Sequence, residues 1–222
     1  MKAFNVAIDG PSGAGKSSIA DAIALRYGLH HLDTGAMYRA IALYMNRLGL
    51  QPQSSAALDQ ALESLSLNMT RDGQVLLNGE DVSEAIRDPQ VSALASSFAA
   101  LPAVRKKLVA MQKEIAEDKG YILDGRDICD VVLPDAEVKI YLDAAPQARA
   151  KRRMLQDQQK GKEMPYEDVL KAIIERDRQD SSRKEAPLRI SDAATVVDSS
   201  DLSFDETVEA IARLIEQSLK EV

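Results

Sequence analysis

The sequence has very little cysteine and no long apolar run. Its 222 residues include one cysteine, Cys129, and no tryptophan. A single thiol cannot form an intramolecular disulfide, so we predict a disulfide-free fold in a reducing compartment. No stretch reaches the roughly 18 apolar residues that a transmembrane helix needs, and the apolar stretch at the start ends at Asp9, too early for a signal peptide. We therefore expect a soluble, cytoplasmic protein.

Positive charge is also scarce, because 28 Lys and Arg against 35 Asp and Glu give a formal net charge of −7. An acidic surface disfavours nucleic acid and anionic membranes, so we expect neither as a partner. Two local clusters of basic residues run against this average and indicate a small anionic ligand, although a solvated helix face is the alternative interpretation. These clusters are Arg149, Lys151, Arg152 and Arg153, and Arg176, Arg178 and Arg183.

Predicted strands and helices alternate along most of the chain, which favours an α/β fold with a parallel sheet covered by helices on both faces. A β-rich stretch at 64–90, with the turn signal Asn78-Gly79, interrupts this pattern. Three predicted strands end at Asp9, Asp124 and Asp143. Ligands of such sheets bind beyond the carboxyl ends of the strands, although an aspartate there also serves simply to turn the chain.

Residues 10–17 match the phosphate-binding pattern G-x-x-x-x-G-K-[ST] in full, between a predicted strand and a predicted helix. The glycines allow the backbone to curl so that its N–H groups face a phosphate, and the following helix adds its positive end. Lys16 is expected to reach the β- and γ-phosphates, and the Ser17 hydroxyl to coordinate Mg²⁺. The predicted nucleotide-binding residues are Gly10, Pro11, Ser12, Gly13, Ala14, Gly15, Lys16, Ser17 and Ser18.

The loop alone does not choose among a GTPase, a motor ATPase and a small-molecule kinase. The N-K-x-D guanine signature is absent, and the strands at Asp124 and Asp143 do not end in the paired acids typical of motor ATPases. A small kinase needs only the loop, a lid of arginines and an acceptor pocket, so the basic clusters favour it. Two alternatives stay open: transfer to another monophosphate or small metabolite, and nucleotide binding without transfer.

Several further motifs resemble those of bacterial cytidylate kinases in order and spacing, from about residue 5 to residue 218. They are DGPSGAGKS at 9–17, LDTGAMYR at 32–39, IR at 86–87, the helix start at 102–105, DGRD at 124–127, KIYLD at 139–143, and the arginine-rich segments at 149–153 and 175–183.

This resemblance implies a P-loop nucleoside monophosphate kinase fold with a five-stranded parallel sheet. The core would comprise 1–63 and 91–222, with a helical lid at about 148–165 and a β-containing monophosphate-binding insert at 64–90. The implied reaction transfers the γ-phosphoryl group of ATP to CMP or dCMP with Mg²⁺, giving ADP and CDP or dCDP, in pyrimidine nucleotide metabolism. We expect a monomer that acts on these small molecules.

The resemblance also implies site residues, and the chemistry agrees, because arginines suit phosphates and a carboxylate can accept a hydrogen bond from cytosine N4. Asp127 and Asp180 are both suitable for the base, and the resemblance favours Asp180 for the sugar. The implied acceptor-binding residues are Thr34, Tyr38, Arg39, Ser96, Arg105, Arg126, Asp127, Arg176, Asp180 and Arg183. The implied catalytic residues are Lys16, Arg126, Arg149, Arg153 and Arg176.

The chain departs from the family pattern after Asp127, where Cys129-Asp130 stands in place of the common Gly-Thr. The lost glycine and the added acid are expected to alter the loop or the acceptor preference. We interpret Cys129 as an incidental thiol, because no histidine or metal-ligand set accompanies it. His30 and His31 belong to no recognisable motif and are interpreted as structural.

Overall fold

The computed structural model describes residues 3–70, 73–159, 161, 164–183 and 185–220. Strands and helices are numbered in chain order. The strands are β1 (Val6–Asp9), β2 (His30–Asp33), β3 (Leu67–Met69), β4 (Val75–Leu77), β5 (Glu80–Asp81), β6 (Tyr121–Gly125), β7 (Val138–Asp143) and β8 (Thr195–Asp198). The helices are α1 (Lys16–Tyr27), α2 (Thr34–Arg47), α3 (Ala56–Ser64), α4 (Pro89–Phe98), α5 (Pro102–Ile115), α6 (Pro146–Gln159), α7 (Tyr166–Ser181) and α8 (Phe204–Ser218).

Five parallel strands form the central sheet in the order β2-β6-β1-β7-β8. The predicted five-stranded parallel sheet is therefore confirmed. Because the strands run in one direction, their carboxyl ends meet at one edge, and each strand carries an aspartate there. These residues are Asp9, Asp33, Asp124, Asp143 and Asp198.

Two hydrophobic clusters cover the two faces of the sheet, as the near-continuous apolar strands predict. Ala7 of β1 belongs to the cluster that includes residues of α2, α4 and α5, whereas Val6 and Ile8 belong to the cluster that includes residues of α1 and α8. Val6, Ala7 and Ile8 are fully buried. Burial of a side chain of the size of Val or Ile stabilises a fold by about 1.5–3 kcal/mol, so β1 anchors both layers and holds the loop that follows it.

A second, antiparallel sheet of β3, β4 and β5 occupies the predicted β-rich stretch. Asn78 and Gly79 connect β4 to β5 with positive φ angles of 50° and 86°, the conformation that a two-residue hairpin turn requires. Leu67 and Leu77 are buried in the same cluster as Met37 of α2. The small sheet thus packs directly onto the helical layer, and the division into core and insert stays a prediction.

Helix boundaries follow local capping. The Asp33 carboxylate accepts the Ala36 N–H at 2.9 Å, so α2 begins at Thr34. α4 was not predicted, although the Asp88 side chain caps it and Pro89 stands in its first turn. The π-helical turn at Ile128–Val132 was also not predicted from the sequence.

In the described part of the chain, no helix combines the length and apolarity needed to cross a membrane. The predicted lid at about 148–165 covers most of α6 and ends just before α7, and its residues 160, 162 and 163 lie outside the described residues.

Candidate active site

The phosphate loop joins β1 to α1 at the carboxyl edge of the sheet. Gly10 has a φ of 149°, and a Cβ added there would lie 2.1 Å from the Leu142 carbonyl oxygen, so no other residue fits. Gly15, with a φ of 93°, directly precedes the first residue of α1. The backbone therefore turns sharply into the helix N terminus, where free N–H groups and the helix dipole favour an anion.

Lys16 lies buried inside the curve of this loop. Its Nζ donates to the carbonyl oxygens of Gly10 at 2.9 Å and Pro11 at 2.8 Å. Burial disfavours the ammonium, and the nearby charges of Arg126 and Arg176 add to the effect, so the pKa of Lys16 falls to about 7. The two arginines come from other parts of the chain, so the phosphate loop and the arginine-rich segments form one site.

Four side chains connect the start of α1 to the neighbouring strands. The Ser17 hydroxyl donates to Asp124 Oδ2 at 3.1 Å, and Asp124 Oδ1 lies 2.8 Å from His31 Nε2. His31 Nδ1 lies 2.7 Å from Asp21 Oδ1. Burial opposes a charge on His31, but Asp124 and Asp21 outweigh it and raise the pKa of His31 to about 9. Asp124 and His31 were not among the predicted site residues, although the strand-end position of Asp124 was the available signal.

Arg126 and Arg183 converge on Asp180 of α7. Arg126 Nε donates to Asp180 Oδ2 at 2.9 Å, and Arg183 donates to Asp180 Oδ1 at 2.5 Å. Asp180 is 1% exposed. Its burial opposes ionisation, but the two guanidinium groups hold its pKa below the usual range. The structure therefore brings three predicted acceptor-site residues together as one hydrogen-bonded group.

Arg176, one turn earlier on α7, belongs to the same group but differs from its neighbours. Its Nε is buried, and among the described residues no hydrogen-bond partner lies within reach. Burial and the positive charges of Arg126, Arg39 and Arg183 lower the pKa of Arg176 to about 10. A buried N–H of a cation without a hydrogen-bond partner is costly, which is the arrangement expected where an anionic ligand completes the site.

The residues predicted on α2 border this group. Arg39 pairs with Asp33 at 2.8 Å, and the Thr34 hydroxyl donates to the Asp124 carbonyl oxygen at 2.7 Å. The Thr34 hydroxyl therefore helps to hold α2 against β6. Burial, moderated by the charge of Arg105, raises the pKa of Tyr38 to about 12, so its hydroxyl stays neutral and can donate a hydrogen bond.

Arg105 and Asp127 form an ion pair beside a cavity of about 660 Å³. Both line it together with Arg126, and α5, the turn after β6 and residues 185–189 supply the other walls. A volume of this size suits a nucleotide-sized ligand. Three of the predicted acceptor residues thus lie around one cavity.

The lid arginines make contacts of their own. Arg149 is 2% exposed; it donates to the Ser12 carbonyl oxygen at 3.0 Å and pairs with Asp177 at 2.6 Å. It therefore joins the phosphate loop to α7. Arg153 is exposed and instead pairs with the buried Asp157 of α6 at 3.0 Å, and the structure does not bring it to the other arginines. The catalytic roles of Arg149 and Arg153 stay predictions.

Two other predicted features lie at the margins of the site. Ser96 is half-buried on α4, and no hydrogen bond joins it to the site arginines among the described residues. Asp130 lines the cavity, where hydrogen bonds from Ser191 and Arg189 hold its pKa below the usual range. The added acid is thus neutralised by Arg189, at 3.0 Å.

The turn that contains Cys129 is held by Asp9, which is distant from it in the sequence. The Asp9 carboxylate accepts the N–H groups of Ile128 at 2.8 Å and Cys129 at 2.9 Å. The thiol is 1% exposed and points toward the carbonyl oxygens of Ala7 and Ile140, both 3.7 Å from Sγ. Cys129 therefore packs into the core instead of widening the pocket.

We predict that Cys129 is almost unreactive in the folded protein. Burial, with the neighbouring Asp9 charge, raises the pKa of the thiol, and only the thiolate attacks alkylating reagents. Iodoacetamide labelling, followed by mass spectrometry, is expected to be on the order of a hundredfold slower than for glutathione. Labelling in concentrated guanidinium chloride is the control and should be complete. Fast labelling under native conditions would contradict the buried position.

Two solved kinases share this architecture. A shikimate kinase from Bacteroides thetaiotaomicron superposes with a TM-score of 0.51 and 14% identity, covering 96% of this chain and 98% of that one. A gluconokinase from Sinorhizobium meliloti has a TM-score of 0.51 and 17% identity, covering 99% of this chain and 96% of that one. At these identities the likeness shows the fold alone.

The fold and the complete phosphate loop define a P-loop protein with the architecture of small-molecule kinases. A family model described as cytidylate kinase matches residues 6–217. Cytidylate kinases from Thermotoga neapolitana and Geobacter sulfurreducens are 45% and 43% identical, over 98% and 96% of this chain and 99% and 92% of the relatives. The chain belongs to the cytidylate kinase family.

Proposed function

We propose that this protein transfers the γ-phosphoryl group of ATP to CMP or dCMP, releasing ADP and CDP or dCDP. One observation carries the proposal: the buried Nε of the half-buried Arg176 has no hydrogen-bond partner among the described residues, in a group of arginines beside the phosphate loop. Concentrated positive charge of this kind suits two phosphorylated ligands that meet end to end. Family membership supports the same reaction.

The donor nucleotide is assigned to the phosphate loop. The N terminus of α1 and the loop N–H groups offer the β- and γ-phosphates hydrogen bonds and a positive dipole end. Lys16 lies in the loop, near the charges of Arg126 and Arg176. A phosphoryl group held between Lys16 and these arginines would lie at the boundary between donor and acceptor.

The acceptor phosphate is assigned to Arg39, Arg126, Arg176 and Arg183. For the cytosine we propose Asp127 and Arg105, because both line the cavity, and a carboxylate can accept from N4 while an arginine donates to O2 and N3. Asp180 is enclosed by two arginines, so it orients them and has its remaining lone pairs available for sugar hydroxyls. Thr34, Tyr38 and Ser96 complete the proposed pocket.

The proposal includes Mg²⁺. This ion prefers oxygen ligands and is usually held by one or two protein groups together with the substrate phosphates. The Ser17 hydroxyl and the Asp124 carboxylate lie 3.1 Å apart beside the loop, so the residues present fit such an ion. When bound, Mg²⁺ would neutralise part of the phosphate charge.

The proposed chemistry needs no side-chain nucleophile or general base. An oxygen of the acceptor phosphate forms the new bond to the γ-phosphorus while the bond to the β,γ-bridging oxygen breaks, and ADP leaves. The protein contributes positioning, and Lys16, Arg126 and Arg176 stabilise the charge that develops. We propose that the helical lid at about 148–165, carrying Arg149 and Arg153, excludes water from this step.

We also propose that the protein works as a monomer in the cytoplasm. The lone, reduced cysteine supports a reducing compartment. Light scattering coupled to size exclusion is expected to give the mass of one chain.

A coupled ADP-release assay tests the function. With ATP and Mg²⁺, we expect CMP and dCMP to release ADP on the order of a hundredfold faster than AMP or GMP, because the pocket presents groups matched to cytosine. A reaction without acceptor gives the background hydrolysis. Preference for another monophosphate or a small metabolite would reject the cytosine assignment, and ATP binding without acceptor-dependent release would reject the transfer reaction.

A further inference from the structure

His31 links two carboxylates at the edge of the phosphate loop, and neither the phosphate loop nor the acceptor pocket accounts for it. Its two ring nitrogens lie 2.7 Å and 2.8 Å from oxygens of Asp21 and Asp124. The other oxygen of Asp124 accepts the Ser17 hydroxyl at 3.1 Å. The His31 side chain is 12% exposed and that of Asp124 is 6% exposed, so the bond between them is shielded from water, whereas Asp21 lies on the surface.

The four residues form a closed connection between one helix and two strands. Ser17 and Asp21 are four residues apart on α1 and so share one helix face. His31 and Asp124 lie on the neighbouring strands β2 and β6, where His31 pairs with Ile122 and Asp33 with Asp124. In this register the side chains of His31 and Asp124 are diagonal neighbours on one face of the sheet. The fold therefore presents both to α1.

Asp124 has competing partners, because it lies close enough to the Lys16 ammonium for each charge to act on the pKa of the other. A carboxylate without a second anchor would be free to rotate toward the lysine. The bond from His31 occupies Oδ1 and leaves Oδ2 facing Ser17. Asp21 holds the opposite nitrogen of the same ring, so the imidazole cannot turn without losing a bond.

We propose that His31 is a positioning residue that fixes the Asp124 carboxylate beside Ser17 and thereby sets how strongly Mg²⁺ strengthens nucleotide binding. The inference rests on the proposed Mg²⁺·ATP role of Ser17. Removing a group that orients the residues around a metal typically costs about 10–100-fold in metal affinity or activity. The effect should fall on the metal-dependent part of ATP binding, because His31 contacts neither the loop carbonyls nor the acceptor arginines among the described residues.

The test is calorimetric titration of ATP into the protein, once with Mg²⁺ and once with EDTA. The Kd for ATP measured with EDTA, divided by the Kd measured with Mg²⁺, gives the gain in ATP affinity from the metal. We expect His31→Leu to lower this ratio about tenfold and to change metal-free ATP affinity less than about twofold. The KM for CMP should stay within about twofold, while kcat falls about 10–100-fold.

His30→Leu is the matched control, since it makes the same substitution one residue away, where the ring packs against Tyr121. Its ratio should equal that of the wild type. His31→Gln keeps one donor group, which can serve one carboxylate but not both, so its ratio should lie between those of wild type and His31→Leu, about threefold below wild type. If His31→Leu fails to fold, His31→Gln still tests the positioning role of His31.

A wild-type ratio in either His31 variant would overturn the inference. So would equal weakening of metal-free ATP, Mg²⁺·ATP and CMP, because that pattern indicates a general loss of structure. Failure of the proposed function looks different: the wild-type protein itself would then show no acceptor-dependent ADP release or no gain in ATP affinity from Mg²⁺.

Discussion

Lys16→Ala is expected to lower kcat by about 10²–10³-fold or more, with a smaller change in KM for ATP. The ammonium lies inside the phosphate loop, next to the charges of Arg126 and Arg176. A cation placed there acts mainly on the charge that develops during transfer, so its loss appears in kcat. Steady-state kinetics with saturating CMP measure the effect.

Lys151→Ala is the control for this prediction. It removes the same charge and the same side chain from an exposed position on α6, so its kcat and KM should match those of the wild type. Circular dichroism checks that both variants are folded. Near-normal turnover in Lys16→Ala would contradict the role of the loop lysine in transfer.

Arg176→Ala should reduce kcat/KM for the acceptor by about a thousandfold, the range found for arginines that stabilise transferred phosphoryl groups. Arg176 is half-buried near Arg39, Arg126 and Arg183, and its low pKa reflects desolvation and their repulsion. Because its charge opposes folding in the free protein, alanine should leave the melting temperature unchanged or raise it. Loss of activity without loss of stability is therefore the expected signature.

Arg178→Ala provides the comparison on the same helix. Arg178 is exposed and pairs with Glu175 at 2.8 Å, a surface pair that contributes little. Its kinetics should be those of the wild type. If Arg176→Ala instead lost stability and kept its acceptor kcat/KM, Arg176 would be a structural residue and the observation that carries the proposed function would fail.

Local sequence was sufficient where the chemistry is local. The phosphate loop is contiguous, and its glycines and lysine can be recognised from spacing alone. The helix α4 was also predictable in principle, because Asp88 and Pro89 are a start signal, but both lie within the stretch at 64–90 that was interpreted as β-rich. The strand order could not be predicted from local sequence, because periodicity indicates strands but not which strands pair. The expectation of a five-stranded sheet rested on the family resemblance.

The contacts that complete the site depend on distant parts of the chain. The turn at Ile128–Val132 exists because Asp9 accepts its N–H groups, over a separation of 119 residues for Ile128. His31 was interpreted as structural because it belongs to no recognisable motif, and its partner Asp124 is 93 residues away. Arg149 was expected among the catalytic residues, and its bonds to Ser12 and Asp177 show a structural tie that charge clustering does not reveal. Sequence spacing carries no information on such pairs.

The sheet order has a consequence for biosynthesis. The first strand synthesised, β1, pairs with β6 and β7, and its nearest pairing partner, Ile122 opposite Val6, comes more than a hundred residues later. At about 5–20 residues per second, the ribosome needs roughly 6–25 s to make that stretch. During this time an apolar strand that becomes fully buried has neither of its pairing strands. The nascent chain must therefore keep β1 from aggregating, and the phosphate loop acquires its shape only in the second half of translation.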